Sequence, residues 1–291
     1  MGGDDLGSDD DYLVPSMVND TSEGKRERDQ ISESPSKRSI TDRDDVTEVE
    51  TKRRKKKNKT LSKIDFSNPL GKRKLLLHSA RGIGQESLDV QASFLWTCYT
   101  HALGATDPSV VGEKFKPSSF LSWSEKIPKS QVSWSNDERD SKYPLILKQC
   151  VAMASSMKKL KDWNVKKSPM VLILCVSARR CVAVLKAISS LKIRCAKLFA
   201  KHLDLQDQIS QLSSTPFPVG IGTPNRLSKL CLDGALNLQS TELVFIDGHE
   251  DSKAFTVLTL NDTALEVAKF IHEYVKPQIS TRPQKIKFVM C

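Results

Sequence analysis

Residues 219–251 read VGIGTPNRLSKLCLDGALNLQSTELVFIDGHED. The short apolar run Pro218–Gly222 is read as a strand. Thr223 can then cap a helix, and Pro224 sits in its first turn, where a missing N–H costs nothing. That helix runs to Leu232. A second apolar run, Glu242–Asp247, is a strand that delivers an acid at its carboxyl end. Strand, helix and strand in this order predict parallel pairing, because the helix carries the chain back across one face of the sheet.

The same alternation extends outward. Upstream, MVLILCV at Met170–Val176 reads as a fully buried strand. A helix over Arg180–Ser190, a strand-like segment over Ile193–Ala200 and a helix over Leu203–Leu212 follow it. A helix over 144–162, opened by Pro144, precedes it. Downstream come a helix over Thr263–Val275 and a closing strand, Lys285–Met290. The pattern predicts an α/β fold, a parallel sheet with helices on both faces. Ligands of such sheets gather at the carboxyl ends of the strands. Ser177-Ala178-Arg179-Arg180, Gly222-Thr223-Pro224 and Asp247 all fall there.

Three regions are expected: a disordered acidic then basic tail over 1–74, a helix and irregular connection over 75–143, and the α/β domain over 144–291. Residues 85–104 are amphipathic, with Leu88, Ala92, Leu95, Cys98, Tyr99 and Ala102 at three- and four-residue intervals and Gly104 as a stop. The stretch 105–143 contains Pro108, Pro117 and Pro128. Its aromatics, Phe115, Phe120, Trp123 and Trp134, are expected to pin it to the domain surface; a partner-binding strip is the alternative.

Charge is segregated along the 291 residues: net −9 over 1–50, net +10 over 51–74 and net +9 over the remainder. The first 60 residues hold too few large apolar groups to offset the entropy of ordering. Ser8, Ser32 and Ser34 stand near acids, as an acidophilic kinase prefers. Lys52-Arg53-Arg54-Lys55-Lys56-Lys57 is a nuclear-import type cluster, accessible also to phosphates. Acidic tail, basic knot and basic body point to a polyanion partner. The seven cysteines form no C-x-x-C pair and read as reduced, mostly buried thiols of an intracellular protein. No apolar signal segment opens the sequence, and Met170–Val176 is too short to span a bilayer, so neither secretion nor membrane insertion is expected.

Several motifs bear on chemistry. A hydroxyl and a guanidinium at a helix start, as in Ser177-Ala178-Arg179-Arg180, can bind phosphate by hydrogen bonds and charge together. A surface arginine pair without a ligand is the other reading. Nucleoside triphosphates on this kind of sheet need a glycine-rich turn with Lys and Ser or Thr. No G-K-T or G-K-S occurs. Arg81-Gly82-Ile83-Gly84-Gln85 lacks the lysine, and Asp140-Ser141-Lys142-Tyr143 stands where the turn belongs. Asp247-Gly248-His249-Glu250-Asp251 contains metal-ligand types, but adjacent residues of one loop rarely converge on one ion, and His249 reads as a loop histidine. No metal, cofactor or small-molecule substrate is expected.

Together these motifs resemble the first RecA-type domain of the DEAD-box RNA helicases. Gly222-Thr223-Pro224-Asn225-Arg226-Leu227 looks like T-P-G-R-L, which in that family holds the RNA backbone. Ser177-Ala178-Arg179-Arg180 is similar to the start of P-T-R-E-L-A, with a residue inserted, so that either arginine can take the RNA-facing place. The resemblance therefore implies Ser177, Arg179, Arg180, Thr223, Pro224 and Arg226 as RNA contacts. Leu243–Asp247 looks like the strand that delivers D-E-A-D, but the tetrad here is Asp247-Gly248-His249-Glu250. Asp247 matches the residue that orients Mg²⁺ at bound nucleotide; the catalytic glutamate is a glycine. The second helicase domain is expected to be missing as well, since KIKFVMC stops where S-A-T would begin.

The wider arrangement of acidic head, K-R-R-K-K-K cluster, linking helix and single degenerate lobe resembles the Cms family of nucleolar, pre-ribosome-associated proteins. That resemblance implies a non-catalytic component of the 90S pre-ribosome, or small-subunit processome, in the nucleus and nucleolus. It would act in ribosomal RNA processing, with pre-ribosomal RNA and processome proteins as partners. Two other classes remain open from the residues: a protein-only interaction module, and an unconventional nucleotide-binding enzyme.

Overall fold

The computed structural model describes residues 82–105, 107–123, 136–282 and 286–291. The expected tail, its import cluster, Pro128 and Trp134 lie outside them. Five strands form one all-parallel sheet: β1 (Val171–Leu174), β2 (Cys195–Leu198), β3 (Val219–Gly222), β4 (Leu243–Ile246) and β5 (Lys287–Met290), in the order β2-β3-β1-β4-β5. The helices are α1 (Leu88–Leu103), α2 (Asn136–Ala154), α3 (Ala178–Ile188), α4 (Leu205–Ser214), α5 (Pro224–Leu232) and α6 (Asn261–Phe270). This is the expected α/β, RecA-like architecture.

Alternation along the strands decides which helix covers which face. In β1, Leu172 and Leu174 join one core with Val244 and Ile246 of β4 and residues of α1, α5 and α6. Val171 and Ile173 point the other way, into a second core with Phe245 and residues of α2 and α3. On β3 the first face is glycine: a Cβ on Gly222 would lie 2.3 Å from the Leu198 carbonyl oxygen and 2.9 Å from Leu227. Glycine there lets α5 seat directly on the sheet, and so sets where the Thr223-Pro224 helix start falls.

Two readings of the sequence are corrected. The helix taken to open at Pro144 begins at Asn136 and holds Pro144 inside it, with a separate short helix at Met157–Lys161. An internal proline costs about 3 kcal/mol. The inward stripe of Tyr143, Ile146, Leu147, Cys150 and Val151, all fully buried, offsets it. The connection over 105–123 is less irregular than expected, with helical turns at Pro108–Val111 and Pro117–Ser119. Its aromatics do pin it down. Phe115, Phe120 and Trp123 are buried, and Lys276 Nζ lies 5.1 Å from the Trp96 and Tyr99 ring centroids and 5.2 Å from that of Phe115.

Both border strands have outward carbonyls taken, those of Phe288 and Met290 on β5 and that of Lys197 on β2. Along β5, Phe120 forms a single parallel bridge with Phe288. The Leu121 amide donates to Phe288 O at 2.9 Å and the Trp123 indole N–H to Met290 O at 2.7 Å. Along β2, the Gln208 amide of α4 donates to the carbonyls of Lys197 (2.8 Å) and Phe199 (3.0 Å).

Candidate functional site

The carboxyl edge of the sheet gathers the turns after β1, β3 and β4, with Asp140 of α2 above them. Ser177 caps α3, its Oγ accepting the Arg180 N–H at 3.2 Å. The buried stripe of α3 is Arg180, Cys181, Val184 and Ile188, at helical spacing. Arg179 therefore faces solvent while Arg180 points inward, 4 % exposed.

Arg180 meets Asp247, itself 1 % exposed at the end of β4. Nε donates to Asp247 Oδ2 at 2.7 Å and Nη2 to Oδ1 at 3.0 Å, a two-pronged match of planar groups. The remaining prong, Nη1, donates to the half-buried Asp140 carboxylate at 2.7 Å. The guanidinium carbon lies 6.0 Å from the Tyr143 ring centroid. Burial works against the Arg180 charge, but the hydrogen bonds and charge of Asp247, with Tyr143 and Asp140, reverse that and hold it protonated. Burial also pushes the Tyr143 hydroxyl well above its usual range, helped by the charge of nearby Cys291 and Asp247.

The Mg²⁺-bound nucleotide implied by the helicase resemblance does not fit here. It would need a carboxylate open to the cation, and Asp247 is buried with Arg180 bonded to both of its oxygens. Further along the loop, Asp251 Oδ1 accepts the Lys253 and Phe255 amides at 2.8 Å and so ties its own turn.

The expected RNA contacts separate into different roles. Arg180 is the clear correction: it is an internal counter-ion, not a surface group. Arg226 is half-buried and braces Gln208, with Nη1 3.1 Å from Gln208 Oε1 and Nη2 3.4 Å from the Leu203 carbonyl. Thr223 holds the extended N-cap backbone of α5 but makes no side-chain capping bond, and Pro224 is buried. Ser177 is exposed and spends its hydroxyl as a cap. Of these six, Arg179 is the exposed cation, with no ion pair among the described residues. The sequence does not reveal the roles of Asp140, read there only as standing where a phosphate turn belongs, and of Gln208. The signal that could have separated the two arginines was the spacing Arg180, Val184, Ile188, which places Arg180 on the apolar stripe of its helix.

Comparison with known proteins gives a coherent set of matches. The model of a family described as "CMS1: U3-containing 90S pre-ribosomal complex subunit" matches residues 124–289. The chain is 33% identical to Protein CMSS1 of Xenopus laevis over 114 residues, 38% of this chain and 41% of that one. It is 30% identical to Protein CMSS1 of Homo sapiens over 114 residues, with the same coverage. It is 31% identical to Protein CMS1 of Chaetomium thermophilum over 108 residues, 36% of this chain and 43% of that one. These matched stretches span less than half the length of each relative.

Proposed function

The chain belongs to the CMS1 family, U3-containing 90S pre-ribosomal complex subunits, and from that membership we propose that it serves the pre-ribosome as a non-catalytic subunit that holds RNA and assembly proteins. The pairing of Arg180 with both oxygens of Asp247 carries the non-catalytic part of this reading. A charge that a metal–nucleotide complex would have to supply is built into the chain, and the carboxylate is buried with Arg180 on both of its oxygens. The RNA-holding part draws on a formal net charge of +10 and a basic isoelectric point near 9.2. Residence in the nucleus and nucleolus follows from such a role.

Two measurements on the full chain test this reading. Titration with MgATP and MgGTP is expected to show no saturable binding up to millimolar nucleotide. A micromolar Kd, or turnover abolished by Asp247→Ala, would overturn the non-catalytic assignment. Crosslinking in cells is expected to recover pre-ribosomal RNA covalently attached to this chain. Absence of RNA adducts, with particle association surviving ribonuclease, would make it a protein-only module.

A further inference from the structure

We propose that a basic cleft at the amino edge of the sheet, opposite the Asp247 edge, is a binding site for the phosphate backbone of RNA. This inference rests on the RNA-holding reading above and assigns that role a place. A cleft of about 460 Å³ opens between α2, the short helix Met157–Lys161, the turn after α3 and the residue before β3. Four cations from separate segments line it: Lys148, Lys161, Lys192 and Arg194. All four are exposed, and none makes an ion pair among the described residues. No acid lines the cleft, and the Ser190 hydroxyl adds a donor. Glu242, just before β4 on the same edge, pairs with Lys159.

The chemistry of the lining selects the ligand. Four unpaired cations around one concave space repel each other unless an anion sits between them, and a polyphosphate chain supplies several. Leu191 and Pro218 are buried and Met157 half-buried, a saturated floor on which a ribose can lie. No aromatic side chain lines the cleft, so bases have nothing to stack on. The site therefore grips backbone, and its affinity should depend little on sequence. Lys192 adds a second observation. Its φ is +52°, a left-handed conformation that disfavours a side chain with a Cβ. Glycine would relieve the backbone there, so the lysine can be removed without strain.

A fluorescein-labelled oligouridylate measures the site on the full chain, in a background where Lys52, Arg53, Arg54, Lys55, Lys56 and Lys57 are glutamine, so that the tail cannot mask it. Replacing Lys148, Lys161, Lys192 and Arg194 together by glutamine is expected to weaken binding at least about tenfold at fixed salt. The slope of log K against log salt should become shallower by about 3, the value for four lost phosphate contacts on a single strand. Lys192→Gly alone should weaken binding while keeping or raising the Tm, which separates the charge from any folding effect. Lys269→Gln, on α6 and outside the cleft lining, should change affinity less than about twofold. Unchanged affinity and slope in the four-glutamine variant would overturn the cleft while leaving the RNA reading intact. If the parent background itself fails to bind the probe and the intact tail does not restore binding, the RNA-holding reading fails and the cleft with it.

Discussion

The two edges of the sheet face opposite ways in more than direction. At the carboxyl edge, where ligands of such sheets usually sit, Arg180 is spent on Asp247 and Asp140, and Arg226 on Gln208. At the amino edge, Lys148, Lys161, Lys192 and Arg194 surround an open cleft with no partner of their own among the described residues. A charged residue near the expected binding place is thus a poor guide to binding. Whether its charge has already been neutralised inside the protein decides what it can hold.

The largest test of this contrast removes the internal cation. Arg180→Ala leaves Asp247 buried and uncompensated, and should cost about 3–5 kcal/mol in a denaturant titration. Arg180→Lys should recover only part of it, because an ammonium cannot reproduce the fork. A change below about 1 kcal/mol for Arg180→Ala would mean that the edge is wet and open, and would break the comparison.

Gln208→Ala comes next. It strips donors from the carbonyls of Lys197 and Phe199 and releases one of the two bonds of Arg226, and should cost about 2 kcal/mol. Hydrogen exchange should quicken first along β2. If the loosened Arg226 then raised RNA affinity, the carboxyl edge would regain a binding role.

Asp140→Asn should cost less, about 1 kcal/mol, since that carboxylate is partly solvated and Arg180 keeps its two bonds to Asp247. A loss as large as that of Arg180→Ala would show that all three groups act as one unit. The mildest test is chemical. Burial pushes the Cys195 thiol, beside Arg194 at the amino edge, up to about 12, and raises fully buried Cys175 at the carboxyl edge well above its usual range. At pH 8, Cys195 should alkylate roughly a thousandfold more slowly than a free cysteine, and still ahead of Cys175. Prior reaction of Cys175 would mean that the Asp247 edge opens more readily than the cleft side.

The sheet was legible in the sequence because its signals are local. Apolar runs such as Val171–Leu174 and Leu243–Ile246 alternate with capped amphipathic helices, and Asp247 was recognised at a strand end. The charge logic of the site was not legible. Arg180 finds Asp140 forty positions upstream and Asp247 sixty-seven downstream. Trp123 finds Met290 across 167 positions. No local spacing encodes such pairs; they exist only once the layers have packed. The start of α2 was misread for a related reason. Pro144 is a fair first-turn residue by itself, and only the buried stripe that follows explains why a helix runs through it.

The borders of the sheet have one more consequence. With Leu121 and Trp123 on the outward carbonyls of β5, and Gln208 on that of Lys197 in β2, an extended peptide joining as a sixth strand would meet an interrupted ladder on either flank. Such interruptions disfavour edge-to-edge pairing of copies. Docking into a larger assembly falls instead to side chains, whose grip salt, modification or a competing partner can loosen one contact at a time.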